Sequence, residues 1–172
     1  MNLELNNQTV LITGSGSGIG RGIADGFLKE DAFVILTDLN KKSLLNTVEE
    51  FSNQYSEEKI SKFYGDLNKP DILESLYQFI IEEAGGLDHL VCNIGSGKSV
   101  PLLDEDVAEF QRMLNINLLN AVGIVNKLFP LLEKSVAKDE CFPSITFVGS
   151  ICGVETLGCP VAYASAKSAL VS

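Results

Sequence analysis

The chain has 172 residues, of which 45% are hydrophobic, and its 13 basic and 23 acidic side chains give a net charge of −10. This acidic balance argues against binding to nucleic-acid phosphates or to anionic lipid. No basic leader opens the sequence, and no run approaches the roughly 20 apolar residues of a membrane-spanning helix. We expect a single cytoplasmic domain over residues 1–172, with no nucleic-acid or membrane partner.

Apolar, β-branched runs alternate with segments of helical periodicity along the chain. Strands are predicted over residues 9–13, 32–38, 59–65, 87–93 and 144–150. Helices are predicted after the first strand, over residues 41–55, 71–84 and 106–136, and from about Pro160 onward. Alternation of this kind indicates parallel strands joined by helical crossovers. The sequence therefore predicts a three-layer α/β fold, a Rossmann-like doubly wound parallel sheet.

Four glycines crowd the end of the first predicted strand, at Gly14, Gly16, Gly18 and Gly20. No Lys-Ser/Thr pair follows as a P-loop requires, and residue 19 is isoleucine where the strict G-x-G-x-x-G pattern needs glycine. Glycine permits a tight turn with positive φ and a close approach of the backbone to a pyrophosphate at the next helix N-terminus. The pattern favours a dinucleotide site, and a glycine-rich turn without a ligand is the alternative.

Asp38 ends the second predicted strand, about 20 residues beyond the glycines, where a carboxylate can accept both adenosine ribose hydroxyls. The same negative charge repels a 2′-phosphate, and the glycine turn carries no basic residue before Arg21. The residues therefore predict NAD rather than NADP as cofactor. A solvated carboxylate at a strand end is the alternative reading of Asp38.

Tyr163 and Lys167 are four residues apart in a predicted helix, so that their side chains share one face. A fixed positive charge favours the phenolate form of tyrosine, which suits a proton transfer between an alcohol and a carbonyl. Ser150 ends the fifth predicted strand, and its hydroxyl could bind the same substrate oxygen. Each residue alone has an ordinary structural explanation, but the three in this order indicate catalysis.

Taken together, these motifs resemble the short-chain dehydrogenase/reductase family. The resemblance rests on residues 13–20, Asp38, Asp66, residues 92–95, Asn117, Ser150, Tyr163 and Lys167. It implies an NAD-dependent oxidoreductase that moves a hydride between nicotinamide and a small-molecule alcohol or carbonyl substrate. It also implies a homo-oligomer formed through the long helix 106–136.

The resemblance assigns a role to each matching position. The implied catalytic residues are Ser150, Tyr163, Lys167 and Asn117, and no metal is implied. The implied cofactor residues are Gly14, Ser15, Gly18, Ile19, Gly20, Asp38, Asp66, Leu67, Asn93, Gly95, Tyr163 and Lys167. Within this set, Asp66 would hydrogen-bond the adenine amino group beside Leu67, and Asn93 with Gly95 would line the cofactor and stabilise the central sheet.

Three further features qualify the resemblance. Asn117 would help to hold a water in a proton relay, and Asn115 is its rival by position. Ile94 places a branched side chain where the family has a small one beside the cofactor. The sequence ends five residues after Lys167, before the family's sixth strand and substrate-covering segment. We therefore expect a fold truncated after the fifth strand and the start of the next helix, and an inactive dinucleotide-binding fragment is the alternative function.

The four cysteines form no C-x-x-C pair, and His89 is the only histidine, so a zinc site is not expected. Without an export signal we expect reduced cysteines that mostly pack in the interior, and no disulfide. His89 lies within an apolar run, which predicts a structural role rather than a catalytic one.

Overall fold

Five parallel strands form the centre of the molecule, seen in a computed structural model that describes residues 3–137, 142–155 and 157–172. They are β1 (Thr9–Thr13), β2 (Phe33–Asp38), β3 (Ile60–Tyr64), β4 (His89–Cys92) and β5 (Ser144–Phe147). Their order across the sheet is β3-β2-β1-β4-β5. All five predicted strands are present; β1 has the predicted bounds, and each of β2 to β5 is one to three residues shorter than predicted.

Helices connect the strands. They are α1 (Gly18–Lys29), α2 (Lys41–Ser52), α3 (Pro70–Ala84), α4 (Val107–Leu114), α5 (Asn120–Ser135) and α6 (Val161–Val171). Short 3₁₀ turns occur at Glu57–Lys59, Leu102–Asp104 and Ile151–Gly153. The predicted Rossmann-like α/β fold is confirmed. In the part of the chain that the structure describes, no helix combines the length and the apolar character needed to cross a membrane.

The strand order determines which face of the sheet each helix covers. The chain moves in one direction through β1, β2 and β3, and it then returns past β1 to reach β4. Because parallel crossovers are right-handed, α1 and α2 cover one face and α3 and α5 cover the other. Ion pairs join the neighbours on each face, from Arg21 to Glu50 and from Lys127 to Glu74.

The core lies at β1 and β2, whose apolar side chains are buried on both faces of the sheet except for the half-buried Phe33. Leu11 is paired with Ile35 across the β1–β2 ladder and with Leu90 across the β1–β4 ladder, and none of the three is accessible to solvent. Continuous apolar strands of this type are expected where helices cover both faces of a parallel sheet. β5 lies at one edge, where three of its four side chains are exposed.

The predicted long helix 106–136 is a helical run in three parts rather than one regular α-helix. Between α4 and α5, a π-helical turn spans Asn115–Leu119. Such turns are rare and are found mostly at functional sites. Within α5, Pro130 lies inside the helix, although proline lacks the N–H that an interior position normally donates.

The chain packs as two compact units, and each contains one part of the predicted site. The first unit comprises residues 1–93 and 124–146, and the second comprises residues 94–123 and 147–172. The glycine turn, Asp38, Asp66 and Asn93 belong to the first unit. Asn117, Ser150, Tyr163 and Lys167 belong to the second.

The expectation of no disulfide is wrong for two of the four cysteines. Cys152 and Cys159 are joined by a disulfide across a separation of seven residues. Both lie in the connection between β5 and α6, where the chain folds back on itself and brings the two sulfurs together. Cys92 is free and buried, as expected for a packing residue. Cys141 lies outside the described residues.

His89 ties together three segments at the amino ends of the strands. Its Nδ1 lies 2.9 Å from the Ser144 hydroxyl, and its Nε2 lies 2.5 Å from the Gln8 side-chain oxygen. Next to it, Asp88 accepts the Thr9 N–H at 2.8 Å and is hydrogen-bonded to the Ser135 hydroxyl. These bonds support the predicted structural role of His89.

We expect stability that depends on pH through His89. Burial lowers the pKa of the ring below its ordinary value of 6.5, against a smaller opposing pull from the Asp88 charge. The unfolded chain therefore binds the proton more readily than the folded one. The ring's contribution to stability is complete above pH 6.5 and is lost as the pH falls below 6.5 toward the lowered pKa.

His89→Gln should flatten this dependence, because glutamine does not titrate. The measurement is urea unfolding of both proteins at several values between pH 7.5 and pH 5. The carboxylates titrate in both proteins, so the effect of the His89 ring is the difference between the two proteins in how the free energy of unfolding changes with pH. Parallel loss of stability in the two proteins would contradict the assignment.

Candidate functional site

The glycine turn is built so that its backbone, not its side chains, forms the surface. Gly14 and Gly18 have φ values of 63° and 57°, in the left-handed region that favours glycine. A Cβ on Gly20 would lie 2.4 Å from the Gly14 carbonyl oxygen and 2.6 Å from the Asn93 amide nitrogen. Backbone crowding therefore explains why side chains are excluded at Gly20, whereas Gly18 faces open space with no atom within 4 Å of such a Cβ.

The first turn of α1 follows directly and has a composition suited to an anion. Its N-cap residue, Ser17, makes no side-chain hydrogen bond to the helix, and the turn contains no acidic residue. Ile19, in the same turn, is 66% exposed although it is a large apolar side chain. A helix N-terminus of this kind presents N–H groups and the positive end of the helix dipole.

Asp38 lies at the end of β2 and reaches the glycine turn. Its Oδ2 accepts the Gly16 N–H at 2.9 Å, and its Oδ1 accepts the Asn40 N–H at 2.7 Å. A Cβ on Gly16 would lie 2.8 Å from the same Oδ2, so glycine is required for the carboxylate to approach this closely. The negative charge is thus held beside the turn by two backbone donors.

Ser15 and Leu67, both predicted to contact the cofactor, are buried. The Ser15 hydroxyl accepts the Thr37 N–H at 2.9 Å, and the Ser15 N–H donates to the Thr37 carbonyl at 2.9 Å. These bonds attach the glycine turn to β2. Leu67 is 5% exposed. Beside it, the half-buried Asp66 accepts from the Asn68 backbone N–H at 3.1 Å and from the Asn68 side chain at 2.9 Å.

Asn93 connects the carboxyl ends of β1 and β4. Its side-chain nitrogen donates to the Thr13 carbonyl at 2.9 Å and to the Gly14 carbonyl at 3.0 Å. Its backbone N–H donates to the Thr13 hydroxyl at 3.0 Å. One asparagine therefore fixes both the end of β1 and the start of the glycine turn, in the position where the sequence predicted a stabiliser of the central sheet.

Lys167 lies in α6 with its ammonium group in the interior of the second unit. The side chain is buried, and Nζ donates to the Val148 carbonyl at 2.8 Å. Burial lowers the pKa of this ammonium. A Cβ on Gly95 would lie 3.2 Å from Nζ and 2.8 Å from the Asn117 side-chain oxygen, so the Gly95 backbone passes close to both side chains.

Tyr163 is half-buried one helical turn before Lys167. Its ring lies against Gly97, where a Cβ would be 3.6 Å from the ring carbon that bears the hydroxyl. Ser150 is also half-buried, and its hydroxyl oxygen accepts the Cys152 N–H at 3.2 Å. The hydroxyl hydrogen of Ser150 is therefore available to a substrate oxygen.

Asn117 is the buried member of the asparagine pair, and Asn115 is exposed. The Asn117 side-chain oxygen accepts the Ser96 N–H at 2.9 Å, and its nitrogen donates to the Ser96 carbonyl at 3.1 Å. The same nitrogen donates to the Met113 carbonyl at 3.1 Å. The side chain thus holds the segment after β4, and it does so from within the π-helical turn.

Glu105 is a further residue at this site, and the sequence analysis missed it. Its Oε2 accepts the N–H of Ala162, in the first turn of α6, at 2.9 Å. Pro160, the N-cap residue of α6, makes no side-chain capping bond, so Glu105 caps the helix from 57 residues away. Local sequence signals for helix capping do not extend over such a distance.

The Glu105 carboxylate belongs to a polar network at the start of α4. The Ser99 hydroxyl lies 3.4 Å from Glu105 Oε1 and 2.6 Å from Glu109 Oε1. Arg112 donates to both oxygens of Glu109 at 2.7 Å. Hydrogen bonds from Arg112, from Ser99 and from the Val100 backbone together lower the pKa of Glu109 to about 2, against a smaller effect of burial.

Comparison with known proteins now identifies the family. The family model described as short chain dehydrogenase matches residues 8–172. The chain belongs to this family. Its members are oxidoreductases of alcohol and carbonyl groups that bind a nicotinamide dinucleotide.

Several relatives illustrate the breadth of the family. An uncharacterized oxidoreductase of Bacillus subtilis is 31% identical over 172 residues, which is 100% of this chain and 62% of the relative. A diacetyl reductase, (S)-acetoin forming, of Staphylococcus epidermidis is 33% identical over 116 residues, which is 67% of this chain and 44% of the relative. The chain thus spans less than two thirds of the length of each of these two relatives.

Solved structures of the family are similar throughout the chain. RhlG of Pseudomonas aeruginosa, in an active-site complex with NADP, has a TM-score of 0.86 and 28% identity, covering 96% of this chain and 64% of its own. A 7α-hydroxysteroid dehydrogenase, complexed with NADH and a 7-oxo bile acid, has a TM-score of 0.81 and 27% identity, covering 96% of this chain and 62% of its own. Both dinucleotides therefore occur among the structural neighbours.

We expect Glu105→Ala to destabilise the second unit by about 1 kcal/mol, the usual cost of losing a helix cap. Glu105→Gln should lower the free energy of unfolding by less, because the amide oxygen of glutamine can still accept the Ala162 N–H. The measurement is the free energy of unfolding in urea.

Glu155→Ala is the matched control, since Glu155 is an exposed glutamate in the connection before α6 with no side-chain hydrogen bond among the described residues. If Glu105→Ala were no more destabilising than Glu155→Ala, the capping role of Glu105 would be wrong.

Proposed function

We propose that the protein is an NAD-dependent oxidoreductase, which transfers a hydride between nicotinamide and a hydroxyl or keto group of a small molecule. The observation that carries this proposal is the carboxylate of Asp38, held by the Gly16 N–H at 2.9 Å beside the glycine turn. We further propose that residues 1–172 function as one dinucleotide-binding domain.

The first unit fits the adenosine and pyrophosphate part of the cofactor. The phosphates would meet the open backbone at Gly18 and the N–H groups of the first turn of α1, with Ile19 covering them. Asp38 retains lone pairs for the ribose hydroxyls after its two backbone bonds. Asp66 would receive the adenine amino group. The buried Ser15 would act through the shape of the turn, and Leu67 through the packing beneath the adenine.

The charge around Asp38 supports NAD over NADP. A 2′-phosphate would approach a carboxylate that is already fixed in place by the backbone. Leu39, the next residue, is 64% exposed and offers an apolar contact instead of a charge. The nearest basic side chain in sequence, Lys41, lies 5.8 Å above the Tyr64 ring.

The second unit fits the reacting part. Bound nicotinamide would supply or accept the hydride. The Tyr163 hydroxyl would give or take the proton at the substrate oxygen, and the Ser150 hydroxyl would orient that oxygen. The Lys167 ammonium donates one hydrogen bond to the Val148 carbonyl and has two N–H groups left for a ribose.

Asn93, Gly95 and Asn117 would complete the arrangement. Asn93 would line the cofactor while it joins β1 to β4, and Gly95 would let the backbone pass between the cofactor and Lys167. The Asn117 side chain is already hydrogen-bonded to the backbone of Ser96 and Met113. The backbone of the π-helical turn around Asn117 would therefore hold the water of the proposed proton relay.

We also propose that the protein forms a homo-oligomer through the helical run 107–135. Exposed apolar side chains along this run support the proposal: Val107, Leu119, Val122 and Phe129. Such side chains are common at interfaces between copies of a chain. The net charge of −10 supports a small-molecule substrate rather than a nucleic acid.

Asp38→Ala should narrow the difference in affinity between NAD and NADP, since it removes the charge that repels the 2′-phosphate. We expect the unmodified protein to bind NAD at least about tenfold more tightly, equivalent to about 1.4 kcal/mol. Calorimetric titration measures both dinucleotides. Asp66→Ala is the control, because it should weaken the binding of NAD and of NADP to the same extent. Preference for NADP in the unmodified protein would refute the role of Asp38.

Tyr163→Phe should lower turnover by roughly 10²- to 10⁴-fold, the usual contribution of a general acid or base, and leave NADH affinity unchanged. Lys167→Ala should lower both turnover and NADH affinity, because Lys167 would also contact the ribose. The assay follows NADH oxidation with a carbonyl compound that the unmodified protein reduces, with diacetyl tried first. Turnover near that of the unmodified protein in Tyr163→Phe would rule out the proton-transfer role of Tyr163. NADH binding without turnover of any carbonyl compound by the unmodified protein would favour a non-catalytic dinucleotide-binding protein.

A further inference from the structure

The disulfide Cys152–Cys159 lies in the short connection between Ser150 and α6. The Cys152 N–H donates to the Ser150 hydroxyl oxygen at 3.2 Å. Cys159 is followed directly by Pro160, the N-cap residue of the helix that carries Tyr163 and Lys167. The bond therefore closes a loop whose two ends are attached to the proposed catalytic groups.

The two halves of this loop are held in different ways. The first half has its own hydrogen bonds, from Gly153 N–H to the Ser150 carbonyl at 3.0 Å and from the Ser168 hydroxyl to the Gly153 carbonyl at 2.8 Å. Between described residues, none of Leu157, Gly158 and Cys159 makes a hydrogen bond. Among the described residues of this second half, the disulfide is therefore the cross-link that the structure shows.

The disulfide is accessible to small molecules. Both sulfur-bearing residues are half-buried and line an open pocket of about 690 Å³, together with the exposed apolar side chains of Val154, Leu157 and Val161. Cys92, in contrast, is a free cysteine that is buried, and burial raises the pKa of its thiol to about 12. A thiol reagent would therefore react at Cys152–Cys159 and not at Cys92.

We propose that Cys152–Cys159 is a reversible redox site whose oxidised form orders the start of α6 and thereby supports binding of the nicotinamide half of the cofactor. The proposal rests on the function proposed above. The reductant is a dithiol. One of its thiolates attacks one sulfur of the disulfide, which forms a mixed disulfide and expels the other cysteine as a thiolate. The second thiolate of the reductant then attacks its own bonded sulfur and expels the remaining cysteine, so that two cysteine thiols form as the dithiol becomes a cyclic disulfide. The reverse exchange with a small-molecule disulfide, which is itself reduced to a dithiol, restores Cys152–Cys159.

The reduced form should keep part of its order. Glu105 still accepts the Ala162 N–H after reduction, and Ser168 still donates to Gly153. The effect should therefore be concentrated at residues 157–161, and the adenosine part of the site in the first unit should not change.

The first experiment tests the redox site itself. The purified chain is alkylated with iodoacetamide before and after treatment with dithiothreitol, and the labelled peptides are mapped. We expect Cys152 and Cys159 to be protected before reduction and labelled after it. Amide hydrogen exchange should then become roughly tenfold or more faster at Ala164, whose N–H donates to the Pro160 carbonyl at 2.9 Å, as expected when a short loop loses its covalent closure. Labelling of both cysteines without reductant, or unchanged exchange, would overturn the proposal.

The second experiment tests the coupling to the cofactor. NADH and ADP-ribose are titrated into the oxidised chain, the reduced chain and the double variant Cys152→Ser with Cys159→Ser. We expect NADH affinity to fall several-fold on reduction while ADP-ribose affinity stays constant. The double variant should behave as the reduced form with and without dithiothreitol, and Cys141→Ser should respond as the unmodified chain.

The outcomes separate the two proposals. If neither NADH nor ADP-ribose binds in either redox state, the proposed function fails, and with it the coupling to the cofactor. If NADH binds equally well in both states, the proposed function stands and the redox proposal is overturned.

Discussion

The Asn93 side chain links the end of β4 to the end of β1 at the point where the strand order reverses. β1 lies between β2 and β4, and the strand order reverses there. In doubly wound sheets, ligands bind at the carboxyl ends of the strands where the order reverses. Two bonds from one amide, to the carbonyls of Thr13 and Gly14, fix the distance between the strands and the start of the glycine turn.

The position of the turn explains the residues around it. Because the backbone must pass beneath Asn93 and beside Asp38, Gly20 and Gly16 cannot carry a Cβ without a clash. Asp38 in turn is fixed by the N–H groups of Gly16 and Asn40, so its charge is oriented before any ligand arrives. A preorganised carboxylate binds hydroxyl groups without the entropic cost of ordering its own side chain.

In the second unit, the corresponding constraint is the buried ammonium of Lys167. A buried charge is costly unless it is hydrogen-bonded, and the Val148 carbonyl provides one such bond. Gly95 permits the backbone after β4 to approach Nζ, and Asn117 holds the adjoining Ser96. Glu105 then accepts the Ala162 N–H in the first turn of the helix that carries Lys167, so that a contact over 57 residues helps to determine where the helix begins.

The sequence predicted the elements that depend on local patterns. Continuous apolar runs in the sequence predicted β1 and β2. The carboxyl ends of parallel strands meet at one edge of the sheet, which is why Asp38 at the end of β2 lies beside the glycine turn at the end of β1. The disulfide and the Glu105 cap were missed, since a loop conformation and a contact over 57 residues leave no periodic signal. The π-helical turn at Asn115–Leu119 was also missed, because helical periodicity continues through it.

The most direct test of this account is an amide-resolved NMR titration of the chain with NADH. If the glycine turn beside Asn93 binds the dinucleotide, the amides of residues 14–20, 38–40 and 66–67 should shift together and saturate at one stoichiometry. The amides of residues 95–97 and 163–167 should follow at the same midpoint. Shifts confined to the pocket beside Cys152–Cys159, or no shifts in the glycine turn at saturating NADH, would contradict the account.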